Sequence, residues 1–285
     1  AKERGRARYQ VFDDALHAHA VARLDLELEL RDAFERGEMR VEYQPIVGLA
    51  DDRIIGAEAL LRWHHPTRGT LAPGEFIDVA EETGLIVPVG CWTVHEACAQ
   101  LARWTEASAD GHRPELLAVN VSGRQLADPD LVPTVDAALR DTGIDARRFC
   151  IEITETAIMH DPADAQHTLG ALRGLGVKIA LDDFGTGYSS LGYIRRFPVD
   201  IVKIDHSFVE GVAHDAESAA IVAAVTAMAR ALALTTVAEG VESAERLAQL
   251  QRLGVDWVQG YYFSVPIPGS ELMRMPSRAG ELVAG

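Results

Sequence analysis

Two adjacent carboxylates, Asp182 and Asp183, are the residues of this sequence with the clearest capacity for chemistry. They follow an apolar run from Val177 to Leu181 that predicts a buried strand, and a glycine-punctuated loop comes after them. Because successive strand residues point to opposite faces, we expect the two acids to converge on one ion only if the strand ends there. Such a pair at a strand's carboxyl end suits a metal-assisted hydrolase, and the alternative is a solvated structural turn.

Polar residues close nearly every other predicted strand as well. They are Glu58, Asn120, Glu152, Lys203, Asp205, Glu239, Glu242 and Gln259. If the strands form a barrel, these ends share one mouth. Two unit charges about 4 Å apart repel by roughly 4 kcal/mol at an effective dielectric near 20, so the clustered acids need protons or cations.

The candidate ligands offer only oxygen atoms, which favours Mg²⁺ or Mn²⁺ over a structural Zn²⁺. There are enough carboxylates for two ions with one aspartate shared, an arrangement that suits in-line phosphoryl displacement. Lys203 would be kept protonated by its acidic neighbours and would orient a water. Arg62 could bind a phosphate through two parallel hydrogen bonds from its guanidinium group.

Short apolar strands alternate with capped helices from residue 38 onward. We predict strands over 39–47, 53–63, 115–121, 148–154, 177–181, 200–204, 235–238 and 257–258, and helices over 73–83, 87–107, 130–141, 162–175, 217–233 and 243–253, with a short one from Ser189. This alternation predicts an α/β fold, a modified TIM (β/α)₈ barrel whose first two strands form a hairpin. A doubly wound open sheet is the weaker alternative, since no glycine-rich nucleotide loop follows the first strand.

The beginning of the chain is charged and lacks both an initiator Met and a hydrophobic signal segment, which indicates a piece of a longer protein. Residues 12–36 predict a helix that stops at Gly37, although Leu24 to Leu30 alternate in a way that also fits a strand.

Composition narrows the classes of function. The 285 residues contain 43 acidic and 27 basic side chains, for a formal charge of −16, which argues against general nucleic-acid binding. The three cysteines form no CxxC pair and are expected to be buried reduced thiols in a cytoplasmic protein, although a longer parent could be membrane-anchored. No apolar run in the sequence reaches transmembrane length.

Several motifs in order resemble those of EAL-domain cyclic di-GMP phosphodiesterases, over roughly residues 38–273. They are Tyr43-Gln44-Pro45, Glu58-Ala59-Leu60-Leu61-Arg62, Asn120-Val121-Ser122, Glu152-Ile153-Thr154-Glu155, Asp182-Asp183-Phe184-Gly185, Lys203-Ile204-Asp205, Glu239-Gly240-Val241-Glu242 and Gln259-Gly260-Tyr261. The resemblance implies metal-dependent hydrolysis of cyclic di-GMP to linear 5′-pGpG, and a barrel whose first strand runs antiparallel.

The resemblance also implies roles for individual residues. The metal ligands would be Glu58, Asn120, Glu152, Asp182, Asp183 and Glu239. The residues that assist catalysis would be Lys203, Glu239, Gln259 and Glu155, the last by anchoring the loop after the aspartate pair. The substrate contacts would be Gln44, Leu61, Arg62 and Asp205. Two Mg²⁺ or Mn²⁺ ions would be the cofactors, and Ca²⁺ is expected to inhibit.

Residues 1–36 resemble the tail of a GGDEF-type domain with its linker helix, and residues 37–285 resemble the EAL domain. The expected partners are cyclic di-GMP, a second copy of the chain through the EAL domain, and upstream GGDEF or sensor domains. Two alternatives remain on sequence alone. One is a receptor that binds cyclic di-GMP without turnover, and the other is an unrelated metal-dependent barrel enzyme that uses Lys203 as a base.

Overall fold

The structure, a computed structural model, describes residues 23–107, 114–185, 196–276 and 278. The chain divides into two compact units. The first comprises residues 1–40 and 61–89, and the second comprises residues 41–60 and 90–285. Within the described ranges, no helix combines the length and the apolar character needed to cross a membrane.

Nine strands form one sheet. They are β1 (Met39–Gly48), β2 (Arg53–His65), β3 (Gly69–Leu71), β4 (Leu116–Asn120), β5 (Phe149–Thr154), β6 (Lys178–Phe184), β7 (Ile201–Ile204), β8 (Thr235–Ala238) and β9 (Trp257–Val258). The order is β1-β9-β8-β7-β6-β5-β4-β2-β3, and β1 also pairs with β2, so eight strands close into a barrel with β3 added beside β2. Strand β1 runs antiparallel to β9, whereas the pairs from β2–β4 through β8–β9 are parallel. The predicted barrel with an antiparallel first strand is confirmed.

The helices are α1 (described over 23–35), α2 (Ile77–Thr83), α3 (Ile86–Ala107), α4 (Gly123–Leu126), α5 (Leu131–Thr142), α6 (Glu155–His160), α7 (Pro162–Gly174), α8 (His206–Gly211), α9 (Ala216–Ala231), α10 (Ala244–Leu253) and α11 (Gly269–Leu272). Short 3₁₀ turns occupy Pro73–Glu75 and Ala146–Arg148. The predicted helix over 73–83 is therefore a 3₁₀ turn followed by α2.

Local sequence signals explain most helix boundaries. Thr154 accepts a hydrogen bond from the Ala157 amide and caps α6. Gly143 ends α5 in the left-handed conformation, with φ of 67°, which glycine adopts without strain. The short elements β3, α4, α6, α8 and α11 were not predicted, and the predicted helix from Ser189 lies outside the described residues.

The barrel interior has an apolar layer and, two residues further along the strands, a polar one. The apolar layer comprises Ile46, Leu116, Ala118, Cys150, Ala180, Ile201 and Val237. Since strand residues two apart share a face, Asn120, Glu152, Asp182, Lys203 and Glu239 lie on the same inner face, nearer the carboxyl ends. The sheet thus places five polar residues of five consecutive barrel strands at one mouth.

The first unit contains α1 and the end of β2. The buried Trp63 indole donates to Glu38 Oε2 at 3.0 Å, and His65 Nε2 lies 3.5 Å from Glu29 Oε2. An ion pair joins Arg23 of α1 to Glu82 of α2. The helix predicted over 12–36 is confirmed for 23–35, and its earlier part lies outside the described residues.

Candidate active site

Asp182 and Asp183 meet Glu239 through a local irregularity of strand β6. The pairing of β6 with β7 shifts register between Leu181 and Phe184, and Asp183 adopts a left-handed φ of 54°. The Asp183 amide donates to Asp182 Oδ1 at 2.9 Å. Each of Asp182, Asp183 and Glu239 offers a carboxylate oxygen within 4.8 Å of the others.

The expectation that β6 would end at the aspartate pair is wrong, because the strand continues to Phe184. The bulge, rather than a strand end, turns Asp183 out of the alternating pattern and lets two adjacent carboxylates share one region.

Lys203 occupies the centre of the cluster. Its ammonium is 2.5 Å from Glu239 Oε1, 2.7 Å from Glu152 Oε2, and 3.4 Å from both Glu58 Oε2 and Asp182 Oδ2. Only 1% of its surface is exposed. The lysine therefore neutralises part of the charge of three buried carboxylates and of the half-buried Glu239, which would otherwise repel one another.

Glu58 is fixed by amide side chains as well as by the lysine. Asn120 Nδ2 donates to Glu58 Oε1 at 2.6 Å, and Gln259 Nε2 donates to Glu58 Oε2 at 2.7 Å. Gln259 also donates to Gln44 Oε1 at 2.8 Å, and Gln44 donates to the Ser264 carbonyl at 3.0 Å. Among the described residues, the buried Gln259 Oε1 has no hydrogen-bond partner, so one acceptor is left for a further donor.

The pKa values of the cluster show how unevenly its charge is shared. Burial, opposed by Lys203 and reinforced by Asp182 and Glu58, raises the pKa of Glu239 to about 8. Burial likewise raises the pKa of Glu152 well above its usual range. Burial would also raise the pKa of Glu58, but Lys203 and the two amide donors lower it below its usual value.

Lys203 itself is held in the charged form. Burial alone would lower its pKa, but the fields of Glu152, Glu239 and Glu58 outweigh burial and raise the pKa well above its ordinary value. A lysine in this state is a hydrogen-bond donor with no lone pair to accept a proton.

The donor set fits hard divalent cations. The side chains of Asp182, Asp183 and Glu239 offer only oxygen ligands and are buried or half-buried. The pKa of Asp183 is raised by burial and by its acidic neighbours Asp182 and Asp205. Burial and mutual repulsion favour the protonated forms of these acids. A bound cation would replace the protons and stabilise the ionised carboxylates. The residues present therefore suit Mg²⁺ or Mn²⁺.

Comparison with known protein families decides the family of the chain. Residues 27–266 match the EAL domain. The chain belongs to the EAL domain family. Most residues of the motifs that suggested this family lie on the barrel strands or directly after them, from β1 to β9.

Relatives of this EAL domain include named signalling proteins of Pseudomonas aeruginosa. The bifunctional diguanylate cyclase/cyclic di-GMP phosphodiesterase MucR is 42% identical over 273 residues, which are 96% of this chain and 39% of MucR. The cyclic di-GMP phosphodiesterase NbdA is 41% identical over 268 residues, 94% of this chain and 34% of NbdA. The chain thus spans between a third and two fifths of the length of these relatives.

A solved structure, the PaMucR phosphodiesterase in complex with c-di-GMP, superposes on this EAL domain with a TM-score of 0.82 at 42% identity. The match covers 87% of this chain and 99% of that one. The likeness extends over the whole of the solved phosphodiesterase, and its TM-score supports the same barrel fold here.

The structure brings together most of the residues predicted for the site of the EAL domain. Gln44, Glu58, Asn120, Glu152, Asp182, Asp183, Lys203, Glu239 and Gln259 form one connected group. Asp205 lies beside it, at the start of α8, and is 6% exposed.

The remaining predicted residues are carried by other parts of the structure. Leu61 and Arg62 belong to the first unit, where the Arg62 guanidinium donates to the Leu61 carbonyl at 2.8 Å. Glu155 begins α6, and the loop that it was predicted to anchor falls in residues 186–195, outside the described ranges. Roles for these three residues stay predictions.

Sequence reasoning missed one glycine as a residue that shapes the site. A Cβ at Gly260 would lie 2.1 Å from the Val241 carbonyl oxygen, so only glycine allows the backbone after Gln259 to approach that of Val241. The glycine next to Gln259 is visible in the sequence, but its close contact with Val241 becomes apparent only once the path of the loop after β8 is known.

Proposed function

We propose that this EAL domain hydrolyses cyclic di-GMP to linear 5′-pGpG in a reaction that depends on divalent cations. The convergence of Asp182, Asp183 and Glu239 within 4.8 Å is the observation that carries this proposal. The names of MucR and NbdA, and the c-di-GMP complex of PaMucR, support the choice of substrate.

Two Mg²⁺ or Mn²⁺ ions would be held by the oxygen ligands of the mouth. The ligands we propose are Glu58, Asn120, Glu152, Asp182, Asp183 and Glu239. When bound, such ions supply Lewis acidity that polarises a phosphoryl oxygen and makes a water nucleophilic near neutral pH. Ca²⁺, with longer and looser coordination, is expected to support binding and little turnover.

The side chains of this chain would position the attacking water. Lys203 is charged and buried, so it orients a water oxygen by donation and does not deprotonate it. The unpartnered Gln259 Oε1 can accept a hydrogen bond from the same water. The water loses one proton as its oxygen forms a bond to phosphorus, the bond from phosphorus to the ribose 3′ oxygen breaks in line, and that oxygen takes up one proton and leaves as a hydroxyl, so that proton loss and gain balance.

Hydrolysis of cyclic di-GMP by the purified chain, followed by chromatography, tests the proposal. We expect linear pGpG with Mg²⁺ or Mn²⁺ and none with EDTA. Glu58→Gln keeps the size of the side chain but removes a charge that two amides and Lys203 contact, and we expect it to remove turnover with the fold intact. An active Glu58→Gln protein, or binding without hydrolysis by the wild type, would contradict the proposal, the latter in favour of a receptor.

The setting of the domain is a second, wider proposal. The length of MucR and its bifunctional name support an arrangement in which residues 1–36 join the domain to upstream GGDEF or sensor domains. We further propose that the domain lies in the cytoplasm. We expect the chain to form a homodimer through the EAL domain. Light scattering of the purified chain measures this, and a monomer at assay concentrations would contradict it.

A further inference from the structure

His206 is a polar residue at the barrel mouth that the proposed reaction does not yet use. It is the first residue of α8 and follows Asp205 directly after the carboxyl end of β7. A second strand end lies beside it. A Cβ at Gly240, just after β8, would lie 2.8 Å from His206 Cβ. His206 therefore lies at the mouth, next to the segment that follows β8.

The imidazole is oriented although it is not buried. His206 Nδ1 lies 3.0 Å from Asp205 Oδ2, while 71% of the histidine side chain is exposed. The other carboxylate oxygen, Asp205 Oδ1, accepts from the Ser207 amide at 3.1 Å and from the Ser207 hydroxyl. Ser207 thus fixes the aspartate through Oδ1, and the aspartate orients the ring through Oδ2.

The Asp205 contact decides which ring nitrogen is available. Burial would raise the pKa of Asp205, but the Ser207 hydrogen bonds and His206 lower it below its usual value, so the carboxylate is ionised and only accepts. The shared proton therefore lies on Nδ1, and the neutral ring carries its lone pair on Nε2. In the part of the chain that the structure describes, Asp205 is the hydrogen-bond partner found for this ring.

We propose that His206 is a further substrate-contacting residue, whose Nε2 accepts a hydrogen bond from the cyclic dinucleotide while Asp205 holds the ring in place. This inference rests on the proposed function. The ligand group is a neutral donor of the nucleotide, either a ribose 2′-hydroxyl or a guanine N–H. Because an exposed side chain adds little to packing, the orientation of the ring by Asp205 at the mouth supports a ligand contact.

Two substitutions separate the two ring nitrogens. His206→Asn leaves an amide donor near the position of Nδ1 for Asp205 and removes Nε2, whereas His206→Gln reaches the position of Nε2. His214 supplies a matched control, because its Nε2 lies 3.4 Å from Glu245 Oε2 in a surface pair whose side chains are 77% and 73% exposed. His214→Asn removes the same chemical groups there.

Steady-state hydrolysis of cyclic di-GMP with Mg²⁺, at a pH where ordinary imidazoles are neutral, is the test. We expect His206→Asn to raise KM about five- to tenfold, the effect of one lost neutral hydrogen bond, with kcat within about twofold. His206→Gln and His214→Asn should stay near the wild-type KM. A His206→Asn protein with wild-type KM and an unchanged melting temperature would overturn the inference, because a merely structural role leaves KM unmoved.

Cyclic di-2′-deoxy-GMP identifies the donor. If the 2′-hydroxyl is the donor, the wild type loses affinity for this analogue and His206→Asn adds no further loss. If a guanine N–H is the donor, the effect of His206→Asn persists with the analogue. A wild type that neither hydrolyses nor binds cyclic di-GMP overturns the proposed function together with this inference, whereas normal wild-type turnover with an unaffected His206→Asn overturns the inference alone.

Discussion

Replacing Lys203 with methionine removes the positive charge at the centre of the mouth while keeping a side chain of similar length. Four carboxylates lie 2.5 to 3.4 Å from the lysine nitrogen. In the metal-free protein, we expect Lys203→Met to leave these acids facing each other without a compensating cation.

The expected loss of stability follows from those distances. At about 3 Å and an effective dielectric near 20, each ion pair contributes roughly 5 kcal/mol of attraction. Most of this is offset by the cost of burying the charges and by protons on Glu152 and Glu239, whose pKa values are raised. Removing one partner of a buried ion pair costs about 3–5 kcal/mol, and we expect Lys203→Met to fall in this range in the presence of a chelator.

Urea unfolding followed by circular dichroism, in EDTA and in Mg²⁺, measures the effect. Lys178→Met is the matched control, because Lys178 is a half-buried lysine on β6 at the opposite end of the strand from the aspartate pair. We expect Mg²⁺ to restore part of the stability of Lys203→Met, since a bound cation replaces the missing charge. A loss below about 1 kcal/mol in EDTA would refute the reasoning and show that protons, rather than the lysine, neutralise the acids.

Three further predictions concern the same mouth. In EDTA, the free energy of unfolding should fall as pH rises from 4.5 to about 8. In this range Glu239 keeps its proton in the native state and loses it in the unfolded state, so a rising pH favours unfolding. Urea titrations that show rising stability across this range would contradict the prediction. Asp183→Asn and Asp183→Ala should both lose turnover, but the alanine variant should be about 1 kcal/mol less stable in urea unfolding, since asparagine tolerates the left-handed φ of 54°. Gly260→Ala should cost about 1–3 kcal/mol and lower kcat, because its Cβ would displace the Val241 backbone beside Gln259; a wild-type thermal melt and kcat would show that the loop adapts.

The strands and long helices were predictable because their signals are local. Alternating apolar residues identify β4 to β8, and a glycine in the left-handed conformation marks the end of α5. The 4- and 6-residue helices α4 and α8 are too short to show a helical period, so no local pattern distinguishes them from loops.

The membership of the site was largely predictable, whereas its geometry was not. Polar residues at the ends of consecutive strands had to share one mouth once the strands formed a barrel. The bulge at Asp183 depends on the register between β6 and β7, and this register cannot be derived from the sequence of either strand alone. The central position of Lys203 among four acids likewise depends on the barrel radius and on rotamers chosen by packing.

Closure of the barrel by its first strand fixes when the mouth can form during synthesis. Val47 of β1 pairs with Val258 of β9, and the side chain of Gln44 meets that of Gln259. These partners are separated by almost the whole domain, so the pairing that closes the barrel is among the most sequence-distant that the chain makes. A nascent chain that has not yet released β9 from the ribosome therefore lacks the Gln44–Gln259–Glu58 hydrogen bonds, and the domain becomes competent only after its last strand emerges.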